Sequence, residues 1–179
     1  MSSSRRIGRI GSLTLTAHPS AGISLLVLWL ILALAGRLWL DLPFAAAVVG
    51  GLAASFLHTL SEIVHNLGHA RAARRTGYPM IGIRLIGPLG QSVYPKDEPA
   101  LPSSVHIQRA LGGAPASALA ALVWGLLALL LSPNGGVAWY VALFACLDNL
   151  LVFTLGAFLP LSFTDGGTLM RHWPYRHDA

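Results

Sequence analysis

The sequence predicts an all-α integral membrane protein, a bundle of about four transmembrane helices with a small membrane-associated β-hairpin. Three observations predict it. Hydrophobic residues make up 54% of the 179 and charged residues only 11%, where a soluble domain carries about 25% charged residues. Mean hydropathy is +0.63. The apolar residues gather in runs that, at about 1.5 Å per residue, can cross a bilayer core of about 30 Å. Lipid must therefore cover much of the surface. The formal charge is +5, but the basic residues flank the apolar runs. Membrane orientation accounts for them, and nucleic acid is not the expected partner. Cys146 is the single cysteine, which excludes an intrachain disulfide and a cysteine-rich metal site.

The elements follow in order. Residues 1–20 form a polar arm with Arg5, Arg6 and Arg9, expected to be mobile. Residues 21–170 read as one membrane domain. Its first span is about 21–40, interrupted only by Arg37. A signal peptide cleaved near Ala33-Leu34-Ala35 is the competing reading, and the long polar arm and the later spans weigh against it. Asp41-Leu42-Pro43 makes a turn. The second span, about 44–72, belongs to a helix that runs on to about Arg75.

From about 78 to 95 the character changes. Gly82, Gly87, Pro88 and Gly90 break any helix, and the apolar stretches between them suit a hairpin around a Gly-Pro-Leu-Gly turn. A proline-rich connector follows, with Ser103 or Ser104 placed to cap the next helix. The third span is about 105–131, ended by Pro133-Asn134-Gly135-Gly136, and the fourth about 137–159. Residues 171–179 are a polar tail. With the N-terminus inside, four spans put both termini in the cytoplasm. Nearly all the arginines then lie on that side, as the positive-inside rule expects, with Arg37 near the outer face.

Ionisable groups within a span are costly and mark candidate sites. The second span concentrates them. At about 100° per residue, His58, Glu62, His65 and His69 share one stripe, with Asn66 at its edge. Two histidines four apart on one helix face can grip a zinc ion, although a purely structural polar cluster would read the same way.

The words around these residues narrow the reading. His65-Asn66-Leu67-Gly68-His69-Ala70 resembles the site-2 protease signature His-Glu-x-Gly-His-Ala, with asparagine in the glutamate position. Leu159-Pro160 followed by Leu161-Ser162-Phe163-Thr164-Asp165-Gly166 is similar to the family's second motif, Asn-x-x-Pro-x-x-x-x-Asp-Gly. Ala110-Leu111-Gly112-Gly113-Ala114-Pro115-Ala116-Ser117 looks like a loosened form of its middle motif, Ala-Gly-Pro-x-Ala-Asn. The glycine-rich hairpin resembles the family's membrane-associated one. The likeness covers roughly residues 44–170, in the family's order. It implies one zinc ion on His65, His69 and Asp165, and proteolysis of a transmembrane protein substrate presented by strand addition to the hairpin. The topology agrees, since both motifs fall toward cytoplasmic span ends. The metal would polarise a peptide carbonyl and acidify water.

Two departures bear on activity. Asn66 stands where the family carries its general base, and a carboxamide cannot shuttle protons; losing that catalysis costs roughly 10²–10⁴-fold. Ala157 stands where the second motif has asparagine, which costs roughly a further 10²–10³ if that group is an oxyanion donor. Ser117 replaces the middle motif's asparagine more mildly. Glu62, one turn before His65, offers compensation. It could relay protons as the base, orient His65, or reach the metal, and orientation suits its distance from His69 best. The alternative function is a catalytically impaired pseudoprotease that binds membrane protein clients. A small transporter or metal-handling protein using the same stripe is a further rival, although no inverted repeat supports it.

The remaining polar residues have plainer expectations. His58 should pair with Glu62. Asp148 and Asn149 should line the cleft or bond between helices. His18, His106, His172 and His177 should be solvated, and the tryptophans should anchor span ends. The sequence leaves the substrate's identity and the oligomeric state open.

Overall fold

In lipid, every backbone N–H and C=O must find its partner within the protein, so apolar runs of this length fold as helices. The computed structural model describes residues 4–176. Its helices are α1 (Pro19–Leu38), α2 (Phe44–Arg75), α3 (Ser103–Ala110), α4 (Gly113–Leu131), α5 (Gly136–Leu147) and α6 (Asp165–His172). A π-helical stretch, Asp148–Leu155, and a 3-10 turn, Gly156–Phe158, continue α5. Among the described residues, four continuous segments are long and apolar enough to cross a membrane: Pro19–Leu38, Phe44–Arg75, Ser103–Leu131 and Gly136–Phe158. The third is kinked at Leu111-Gly112, and the fourth changes from α to π geometry at Asp148. Hydropathy, which is continuous through both segments, marks neither change.

Packing is inverted relative to a soluble domain. The buried apolar residues of the helices are mostly alanines, among them Ala47, Ala54, Ala121, Ala128, Ala142 and Ala145. The large ones, such as Leu30 and Leu34 of α1 and Leu122 and Leu126 of α4, point outward. Helices in lipid gain little from burying large side chains, so they associate through small residues and close backbones. At the α1–α2 crossing, a Cβ on Gly51 would lie 2.6 Å from the Ala33 amide nitrogen. Where α2 meets the α3–α4 junction, a Cβ on Gly112 would lie 2.7 Å from the Gly68 carbonyl oxygen.

One four-stranded sheet caps the bundle, in the order β1 (Arg5–Ile10), β2 (Leu13–Ala17), β3 (Gly82–Ile86), β4 (Leu89–Val93). The β3–β4 hairpin lies where the glycines predict it. The N-terminal arm is a correction. Residues 5–17 are a second antiparallel hairpin, and β2 pairs parallel with β3 through Thr14–Gly82 to Ala17–Leu85. The cause is the alternation Leu13, Leu15, Ala17. It turns one apolar face of the strand onto Met80, Ile83, Leu85 and Ala70, with Gly11 at φ +57° making the turn. The tail also differs, since its first residues complete α6. His177 and the chain ends lie outside the described residues.

Candidate metal centre

Helix α2 sets His65 and His69 one turn apart on one face. Asp165 reaches them from the first position of α6, whose start is capped by the Thr164 side chain accepting from the Gly167 N–H. Gly166 and Gly167 are required there, because a Cβ at either would strike the backbone carbonyls of Phe158 or Leu161. The Nε2 atoms of the two histidines are 3.0 Å apart. The Asp165 carboxylate lies 3.4 Å from His65 Nε2 and 3.3 Å from His69 Nε2.

Each imidazole is held by its other nitrogen. His69 Nδ1 donates to the Arg109 carbonyl at 2.8 Å. A carbonyl only accepts, so Nδ1 carries the proton and Nε2 offers a lone pair. His65 Nδ1 bonds Ser117 Oγ at 3.0 Å, which suits the same tautomer. Two lone pairs and a carboxylate then face one another, an arrangement that repels unless a cation lies among them. Asp165 Oδ2 is buried without a hydrogen-bond partner. Gly113 keeps the space open, since a Cβ there would sit 2.5 Å from His69 Nε2. Zinc bonds of about 2.0–2.1 Å give tetrahedral edges of about 3.3 Å, which matches these separations. The residues fit zinc.

Ser117→Ala should weaken zinc affinity roughly 10–100-fold by releasing the His65 ring. Competition with a chromophoric chelator measures it.

The cleft beside the trio has a volume of about 750 Å³. Its walls are strand β4 from Leu89 to Ser92, the π-helical Leu151–Phe153, Leu159 and Phe163. Asn66 lies on the wall rather than at the trio's centre. Its Nδ2 donates to the Glu62 carbonyl and its Oδ1 accepts from the Ser92 hydroxyl, both at 2.9 Å. Ala157 also lines the cleft and offers no polar group.

Glu62 is not brought to the trio. It lines a separate cavity of about 180 Å³ with His58, α1 and the β3–β4 turn, and its Oε1 is buried without a partner. The ring it was read to orient, His65, is instead hydrogen-bonded by Ser117. His58 pairs not with Glu62 but with Asp148, which is buried at the start of the π-helical stretch, Nδ1 to Oδ1 at 3.0 Å. Asn149 bonds between helices, donating to Ser61 Oγ at 2.7 Å. His18 caps α1, and His106 stacks on His172 at 4.2 Å, so none of the three is simply solvated.

Sequence reading missed three contributors. The Arg109 carbonyl is backbone and carries no residue signal. The Arg109 side chain is locked by Glu98 at 2.5 Å, the Tyr78 carbonyl at 2.6 Å and the Tyr94 ring at 4.0 Å, which fixes that carbonyl. Burial pushes the Tyr94 phenol above its ordinary value. Phe153 stands between His58 and His65, at 5.3 and 5.8 Å between ring centres. Only its place in an apolar run was visible.

The bundle of apolar helices thus brings a His-x-x-x-His face and a distant aspartate together over a sheet-walled cleft. The solved structure of the site-2 protease from Methanocaldococcus jannaschii matches it, with a TM-score of 0.66 over 99% of this chain and 74% of that one, at 15% identity. The fold is thus site-2 protease-like. No protein-family model and no curated protein matches the chain.

Proposed function

We propose that this chain is a membrane-embedded pseudoprotease of site-2 protease type. It holds one zinc ion on His65, His69 and Asp165 and binds an extended segment of a transmembrane protein client. One observation carries this reading. The ligand trio is complete, yet among the described residues the cleft beside it has no group outside the trio able to serve as general base. Asn66 contributes an amide and Ala157 a methyl group, while the Glu62 carboxyl belongs to the other cavity. Bound zinc supplies Lewis acidity toward a carbonyl and toward water. Among the described residues that line the cleft, none outside the trio can move the proton.

Client binding is supported by β4. It is one of the sheet's two edge strands, paired among the described residues only with β3, and it lines the cleft. A free edge offers N–H and C=O groups to an added strand, and the apolar cleft suits membrane-derived side chains. In this reading the bilayer is the second partner and both termini are cytoplasmic. Slow hydrolysis is the second reading, favoured by the complete ligand set and its outer partners, Ser117 and the Arg109 carbonyl.

The test is a fluorescent peptide derived from a transmembrane helix, incubated with the zinc-loaded protein in detergent. Binding by anisotropy without cleavage by mass spectrometry is expected. Cleavage that Glu62→Gln abolishes would overturn the proposal in favour of an enzyme with a relocated base.

A further inference from the structure

The β3–β4 turn is held from two sides. On one, the Gly87 N–H donates to Ser20 Oγ at 3.0 Å. On the other, His58 Nε2 lies 3.0 Å from the Pro88 carbonyl oxygen. The same ring meets Asp148 through Nδ1, at 3.0 Å to Oδ1 and 3.2 Å to Oδ2. Asp148 is buried, and so is most of the ring. His58 therefore joins α2, the π-helical stretch and the hairpin turn in one chain of hydrogen bonds.

Counting donors fixes the state of this chain. The Pro88 carbonyl only accepts, so Nε2 must carry a proton. Nδ1 then faces a carboxyl group. Either Nδ1 is also protonated and Asp148 is a carboxylate, or Asp148 is protonated and donates to Nδ1. Both arrangements hold one proton more than a neutral imidazole beside a carboxylate. When that proton leaves, the single remaining N–H goes to the carboxylate, the stronger acceptor. The Nε2 lone pair is then left against the Pro88 oxygen, and the contact becomes repulsive.

We propose that His58 is a positioning residue, a proton-dependent clamp that holds the β3–β4 turn and so fixes the β4 edge along the cleft. The clamp is closed when the His58–Asp148 pair is protonated and opens as pH rises and the pair loses its proton. The other ionisable group facing the ring is Glu62, on its own helix. Phe153 separates the ring from His65. The residues that α1, β2 and the hairpin contribute to the adjoining cavity are not ionisable. The consequence for clients rests on the binding reading above; the clamp itself does not.

The experiment is hydrogen–deuterium exchange of the turn amides, corrected for intrinsic rate, in zinc-loaded protein from mildly acidic to alkaline pH. Affinity for the fluorescent peptide is read on the same samples. In wild type, turn protection should fall about ten-fold as pH rises, the scale of losing a hydrogen bond to a charged group. His58→Phe should lose the protection at every pH. His58→Gln keeps a non-titrating N–H for Pro88 and should show protection that no longer varies with pH. Asp148→Asn can donate to Nδ1 of a neutral ring and should likewise flatten the profile. Wild-type protection that is flat with pH and equal to that of His58→Phe, both proteins holding their zinc, overturns the clamp. If exchange follows the expected pattern but no variant binds the peptide, the clamp stands and the client reading falls. Normal peptide affinity with unresponsive exchange gives the reverse.

Discussion

Asp165→Ala should abolish stoichiometric zinc binding while leaving the fold standing. Removing an outer partner of a metal ligand costs roughly 10–100-fold in affinity, and removing a ligand costs more. The fold should survive because Asp165 makes no capping contact. Thr164 caps α6, and the Gly166-Gly167 backbone carries the close approach to Phe158 and Leu161. Asp165 Oδ2 has no hydrogen-bond partner to leave orphaned. Metal content of the detergent-purified protein reads the effect directly. Thermal unfolding reads it independently, since zinc at a hundred times its dissociation constant stabilises the folded state by about 2.7 kcal/mol. Wild type should melt at higher temperature with zinc, and Asp165→Ala should not respond. Zinc retained in Asp165→Ala would remove the carboxylate from the ligand set. No zinc in wild type would remove the metal centre itself and leave only the fold.

The parts of this site that lie close together in sequence were legible, because helix geometry is local. His65 and His69 share a face by their spacing alone. Asp165 was legible only through its motif, since nothing local links it to α2. The same stripe misled at Glu62. One face of a 3.6-residue helix is continuous, but the surface it meets is divided. The turn carrying His65 and His69 opens on the metal cleft, and the turns carrying His58 and Glu62 open on a second cavity under the hairpin. His58 was assigned to Glu62 for a related reason, while Asp148 bonds between helices as expected. The period of one helix shows which residues share a face but not which residue of another helix meets them, so it could not show that Asp148 meets His58. The N-terminal hairpin was hidden differently. Its period-two pattern is present in Leu13-Thr14-Leu15-Thr16-Ala17, but three arginines dominate the arm, and its partner β3 lies beyond two spans.

Asn66→Glu should raise peptide cleavage by roughly 10²–10⁴-fold, the usual worth of a general base. The position is apt, because Asn66 already lines the cleft with His65, His69 and Asp165. The substitution meets resistance from three sides. Glutamate cannot donate to the Glu62 carbonyl as the Asn66 amide does. It would abandon or alter the bond from Ser92, which ties α2 to β4. It would also bring a second carboxylate near the buried Glu62. The first two losses are about 1 kcal/mol each, small against the gain in rate. Pairing the change with Glu62→Gln removes the charge conflict, so the double variant should be the more active. Asn66→Gln is the control, having the length of glutamate without its basicity, and it should gain nothing. Turnover is read by mass spectrometry of the transmembrane peptide with zinc content matched across variants. Turnover in Asn66→Glu alone would make the asparagine the step that silences hydrolysis. Its absence in a zinc-loaded variant would shift the weight to Ala157, where no side chain can stabilise charge on the peptide oxygen. Adding Ala157→Asn should then release the activity that Asn66→Glu could not.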